Sequence, residues 1–89
     1  MNSRGITDSE RKHLAWVKEQ PCAVCEAPGP SEAHHIEQGL HFSCIPLCPD
    51  CHRGGRNGLH GQRRMWAVTK KTELSCLDAT IRALAQSSS

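Results

Sequence analysis

Two Cys-x2-Cys turns, Cys22-Ala-Val-Cys25 and Cys48-Pro-Asp-Cys51, constrain this chain more than any other feature. Two residues between thiols let one tight turn present both sulfurs to a single tetrahedral ion, and two such turns complete a four-thiolate zinc site. Such a site has no vacancy, so it holds a fold together and does no chemistry. A chain of 89 residues is read as one domain, residues 1–89 with its core at 22–71, and chains this short usually need disulfides, a metal or a partner to gain enough stability. Six cysteines would also suit a disulfide framework. The amino terminus is polar, however, with no apolar secretory stretch, which favours reduced, metal-bound thiols in a cytoplasmic protein. No run is long and apolar enough to span a bilayer. Cys44 and Cys76 lack partners at ligand spacing and read as small buried apolar residues, although Cys44 could stand in for one ligand.

Local signals place the turns among short elements. Thr7-Asp8-Ser9-Glu10 is a capping box, and a helix should run from there to about Glu19, where Pro21 stops it. Leu14 and Val17 mark its apolar side, Trp16 is expected to pin it to the cysteine frame, and His13 reads as a surface residue. Glu26 to Ser31 is turn chemistry. Glu32 to Ile36 and Phe42 to Leu47 should be two short strands, the second limited by Pro46. Arg53 to Gly58 reads as a flexible basic loop, followed by a helix from about His60 or Gly61 to Lys71. A last helix, about Ser75 to Ala85, carries Leu74, Leu77, Ile81 and Leu84 as one stripe, for core or for a dimer face. The polar start, Met1 to Ile6, should be loose, and Ser87 to Ser89 disordered.

The frame encloses Ala33-His34-His35-Ile36, and His52 and His60 follow it. Neighbouring side chains of an extended segment point to opposite faces, so His34 and His35 cannot serve one ion alike. A natural division gives one imidazole to a metal and the other to a general base, for which histidine is suited near neutral pH. His52 and His60 are then further candidate ligands. The blander alternative has these histidines incidental, or one of them replacing a cysteine. The formal charge of +2 hides an asymmetry: Arg53, Arg56, Arg63, Arg64, Lys70 and Lys71 lie between Cys51 and Thr72 with no acidic residue among them. That is the footprint of a polyanion binder, or else a solvated helix face. With only Trp16, Phe42 and Trp66 as large aromatics, base-stacking platforms for single strands are not expected.

Together Cys-x2-Cys, Ala33-His34-His35-Ile36 and Pro46-Leu47-Cys48-Pro49-Asp50-Cys51-His52 resemble the His-Asn-His (HNH) endonuclease superfamily. Gly58-Leu59-His60-Gly61 with Arg63, Arg64 and Trp66 is similar to the nuclease domain of phage recombination-enhancement, RecA-dependent nucleases. The resemblance covers roughly Cys22 to Lys71. It implies a small α+β fold: a ββα-metal (His-Me finger) core with a structural zinc clasp, flanked by an N-terminal and a C-terminal helix. It implies a DNA endonuclease in which His34, His52 and His60 hold a catalytic divalent ion (Mg2+, Mn2+, Ni2+ or Zn2+). His35 would be the base that activates water, leaving a 5′-phosphate and a 3′-hydroxyl. Arg53, Arg56, Arg63 and Arg64 would grip backbone phosphates, which gives affinity without sequence reading. A recombinase partner, and the cytoplasm of a host cell for a phage-encoded chain, follow from the same likeness. The superfamily's middle Asn has no counterpart: Ser43 stands in its place and Asn57 is displaced. A backbone carbonyl is the expected substitute for orienting His35.

Two further readings compete with the endonuclease. One is an inactive, zinc-stabilised nucleic-acid-binding module; the other is an interaction protein built on the last helix. A passive binder has no need of His35 beside His34.

Overall fold

The computed structural model describes residues 5–87, so the expectations for residues 1–4, 88 and 89 lie outside it. The fold is a small α+β arrangement in which helices pack around a two-stranded antiparallel sheet.

Helix α1 (Asp8–Glu19) starts as its sequence demands. The Glu10 amide donates to Thr7 Oγ1 at 3.1 Å and the Thr7 amide donates to Glu10 Oε1 at 2.8 Å. It ends where Pro21 requires, with Gln20 already extended. Its inward face is carried by Val17 and, against expectation, by His13, which is 8% exposed. The two lie one turn apart, and His13 sits between Trp16 and Phe42, with ring centroids at 6.1 and 5.1 Å. Trp16 lines a shallow groove with Pro21, Cys22 and Ala23, and so reaches the cysteine frame.

Strands β1 (Glu32–His35) and β2 (Cys44–Leu47) pair with Glu32 opposite Leu47 and His35 opposite Cys44. Phe42 falls outside β2 and is half exposed. Every residue of β2 is buried, so it reads as a continuous apolar run rather than an alternating one. Pro46 has no amide to donate, and its carbonyl accepts from the Ala23 amide at 2.8 Å, which ties the first cysteine turn to the sheet. Ile45 and Leu47 meet Val24, Trp66, Cys22, Cys51 and Cys76 in the core.

Beyond the sheet, α2 (Pro49–Arg53) is a short helix with proline in its first turn, and Cys48 Sγ accepts the Cys51 amide at its start. The stretch 54–63, expected to be flexible and then helical, is instead a chain of tight turns closed by backbone bonds. Gly58 N–H donates to Gly54, Leu59 N–H to Cys51, Gln62 N–H to Gly55 and Arg64 N–H to Arg56, all at 2.8–3.0 Å. Helix α3 is therefore confined to Arg64–Thr69, between Arg63 and Lys70 in left-handed conformations.

Helix α4 (Glu73–Ser87) begins earlier than its apolar pattern suggests and continues through Ser87. The Ser75 amide donates to Thr72 Oγ1 and the Thr72 amide to Ser75 Oγ, a reciprocal cap placed just ahead of Glu73. Its buried positions are Cys76 and Thr80; of the expected stripe Leu77 packs against the core and Leu84 is half-buried, while Leu74 (73%) and Ile81 (43%) face solvent, so only part of it turns inward. Thr80 can be buried because its hydroxyl donates to the Cys76 carbonyl at 2.7 Å. Among the described residues no helix is long and apolar enough to cross a membrane.

Candidate metal centres

The first centre is built by two knuckles, one in the loop after α1 and one at the start of α2. The sulfurs of Cys22, Cys25, Cys48 and Cys51 all lie within 4.8 Å of one another. All six cysteines are free thiols. With zinc–sulfur bonds of about 2.3 Å, the edge of a tetrahedron of sulfurs is about 3.8 Å. Cys25 Sγ and Cys48 Sγ stand 3.7 Å apart. Amides of Val24 and Cys51 point at Cys22 Sγ and Cys48 Sγ, each at 3.4 Å. Burial opposes ionisation of Cys22, but amide donors of Cys25, Cys48 and Val24 outweigh it and bring the thiol down to about 7. Burial, followed by the neighbouring thiols, pushes Cys51 far up, which a bound cation would reverse. These four residues can hold a structural metal such as zinc. Cys44 stays apart: it is buried, its thiol donates to the His41 carbonyl at 3.2 Å, and burial raises its pKa. Cys76 is likewise buried and raised by burial.

The second centre adjoins the second knuckle in sequence, since His52 directly follows Cys51. His34 comes from β1, His52 from α2 and His60 from the turns beyond, and their ring nitrogens fall within 4.8 Å of one another. The ring centroids form a near-equilateral triangle with sides of 5.0, 5.4 and 5.1 Å. Contrary to expectation His60 does not open a helix; it is set by its amide donating to the His52 carbonyl at 3.2 Å. Two of the three imidazoles carry a carboxylate. His34 Nε2 meets Glu73 Oε2 at 2.8 Å, and His52 Nδ1 meets Glu32 Oε1 at 2.8 Å. Histidine metal ligands characteristically give their second ring nitrogen to such a carboxylate. Three convergent imidazoles with two carboxylates behind them are a donor set that fits a divalent ion.

His35 faces the opposite way, as the period of a strand requires. Its Nε2 lies 3.0 Å from His41 Nδ1, with the two rings edge to face. Burial first, then the nearby His41 and His34, lower its pKa, so its neutral form dominates at pH 7. Ser43 is engaged through its backbone, its carbonyl accepting the Ile36 amide and its amide donating to the Leu40 carbonyl. Asn57 is also elsewhere, donating to Asp50 Oδ2 at 2.8 Å. The partner of His35 is thus a side chain, not the expected backbone carbonyl.

The basic segment is divided. Arg53 forms a two-armed ion pair with Glu32, one arm at 3.0 Å. Together with His52 it brings the Glu32 carboxyl down to about 2. Lys71 is turned inward, its Nζ donating to the carbonyls of Ala23 and Val24 at 2.8 and 3.3 Å. Arg56, Arg63, Arg64 and Lys70 remain exposed, Arg63 with its guanidinium 5.9 Å from the Trp66 ring centre.

Sequence reasoning missed Glu32, His41 and Glu73. Glu32 had a local signal, since it shares a strand face with His34 two residues on. Glu73 had none, as it lies 39 residues from His34. No family model, curated protein or solved structure matches this chain.

Proposed function

We propose that this chain is a metal-dependent DNA endonuclease of the HNH type, a hydrolase of phosphodiester bonds with a ββα-metal core. The order β1–β2–α2, with histidines on the first strand and on the helix, supports that reading. The observation that carries it is the triangle of His34, His52 and His60 beside a His35 held separately by His41.

An ion held by the three imidazoles would supply positive charge against the phosphate oxygens and the departing 3′-oxygen. His35 does the proton chemistry. Its Nε2 is engaged by His41 Nδ1, which holds the ring; with the proton on Nε2 and donated to His41, Nδ1 is left to take a proton from the attacking water. Arg56, Arg63 and Arg64 bind flanking phosphates, with the strong salt dependence such contacts carry. Arg53 contributes less to DNA than its position suggests, because its guanidinium is committed to Glu32.

The test is plasmid nicking across Mg2+, Mn2+, Ni2+ and Zn2+. The wild type should nick. His35→Ala should lose at least about a hundredfold in rate, the scale of general-base catalysis, while keeping its fold, its metal content and its DNA affinity. DNA binding without cleavage by the wild type under every ion would instead establish a zinc-braced binding module.

A further inference from the structure

We propose that Glu73, at the first turn of α4, is a positioning residue for the imidazole centre. This rests on the reading that His34, His52 and His60 hold an ion. The Glu73 carboxylate approaches His34 Nε2 at 2.8 Å across 39 residues of sequence, with the His34 side chain only 10% exposed. The converging set itself contains imidazoles alone, so Glu73 meets His34 without being one of that set. A carboxylate there keeps the ring proton on Nε2 and leaves the lone pair of Nδ1 for an ion, while fixing the plane of the ring. Glu32 does the same for His52 from the opposite nitrogen.

An acidic residue in the first turn of a helix is favoured by the helix dipole wherever it points, so its presence alone decides nothing. Its aim is what matters, and the backbone on either side is anchored. Two residues earlier, Lys71 grips the Ala23 and Val24 carbonyls of the first cysteine knuckle. Thr72 and Ser75 cap the helix reciprocally. Within three residues, therefore, one side chain fastens the thiolate frame and another fastens the imidazole frame. The last helix is in this way made part of the metal site rather than an appendage to it.

The experiment titrates Co2+ into the full chain carrying zinc in its thiolate site, followed by calorimetry and visible absorption. Wild type should take up one further ion with imidazole-type d–d bands and no thiolate-to-cobalt charge-transfer band. Glu73→Gln, which keeps the shape and removes the charge, should weaken that ion about 10- to 100-fold and leave the melting temperature of the zinc-loaded, cobalt-free protein unchanged. Glu73→Asp should restore part of the affinity. Equal cobalt affinity in wild type and Glu73→Gln overturns the proposal while leaving the site intact. So does an affinity loss that merely tracks a loss of thermal stability. A wild type that binds no second cobalt removes the imidazole site itself, and this proposal with it.

Discussion

Replacing Gly58 by alanine should damage the imidazole centre without touching any of its ligands. A Cβ on Gly58 would lie 2.5 Å from both the nitrogen and the oxygen of Gly54, and 2.9 Å from the Arg53 carbonyl carbon. Ordinary van der Waals contact begins at 3.4 Å, and all three atoms are backbone, so no side chain can swing away. The 54–58 turn must open by roughly 1 Å, an overpacking that costs about 2 kcal/mol. The bond from Gly58 N–H to the Gly54 carbonyl is the first to stretch, for about 1 kcal/mol more. For a domain of this size, about 3 kcal/mol lowers the melting temperature by roughly 12–24 °C. His60 lies two residues on and is hung from His52 through the same ladder, so the ion held there should bind at least about tenfold more weakly. Gly55→Ala is the matched control, because nothing lies within 4 Å of its added methyl. Differential scanning calorimetry and the cobalt titration on both variants decide the matter. If Gly58→Ala and Gly55→Ala melt within about 2 °C of each other and bind cobalt equally, the turns do not set His60 and the argument fails.

Removing the proposed zinc should unfold the domain, because a four-thiolate zinc is worth about 10–16 kcal/mol near pH 7 while domains of this kind are stable by about 5–15 kcal/mol. Helical circular dichroism should collapse when a strong chelator strips the metal, and helix retained at zero bound metal would count against that role. His13→Leu should stabilise the protein by about 1 kcal/mol at pH 7, since His13 Nε2 is buried with no partner among the described residues and an unsatisfied polar group costs about 1–3 kcal/mol. Burial lowers the His13 pKa below 6.5, so at acid pH the unfolded chain binds a proton that the folded chain resists. The advantage of the leucine variant should thus grow as pH falls below 6.5, and level off below the folded pKa. Denaturant melts at pH 7 and pH 5 that show a constant difference would contradict this.

What could be read from the sequence was what depends on short spacings. Cys-x2-Cys delivers two thiols from one turn, and a strand sends His34 and His35 to opposite faces, whatever surrounds them. The capping box at Thr7 and the stop at Pro21 are equally local. Features set by tertiary contact were not legible. In the sequence Gly58 ends a loop that looks flexible and Gly61 looks like a helix start, yet an added methyl at either would strike backbone within 2.5 Å, so they are glycines of close packing. Burial of His13 depends on Phe42, which comes from another part of the chain. The phase of α4 is set by what it covers, and small Cys76 and Thr80 fit against β2 where Leu74 and Ile81 would not. Arg53 and Lys71 count as free basic charges in a composition, and both are spent on partners inside the fold.

The two centres share one structural member, and this gives the small domain its logic. Helix α2 contributes Cys48 from its cap and Cys51 from its body to the thiolate set, and His52 is the next residue. The Cys51 carbonyl then accepts both the Leu59 amide and the Trp66 indole, at 2.8 and 2.9 Å, while the His52 carbonyl accepts the His60 amide. Holding Cys51 therefore holds His52 by covalent connection and His60 by hydrogen bond. An isolated helix of five residues has almost no stability of its own, so its geometry must come from whatever clamps its ends. A tetrahedron of sulfurs closed on a metal would do that more rigidly than a small core whose large aromatic is Trp66 could. The brace lies one peptide bond away from the imidazoles it steadies, and so a chain this short can keep three of them converging on a single point.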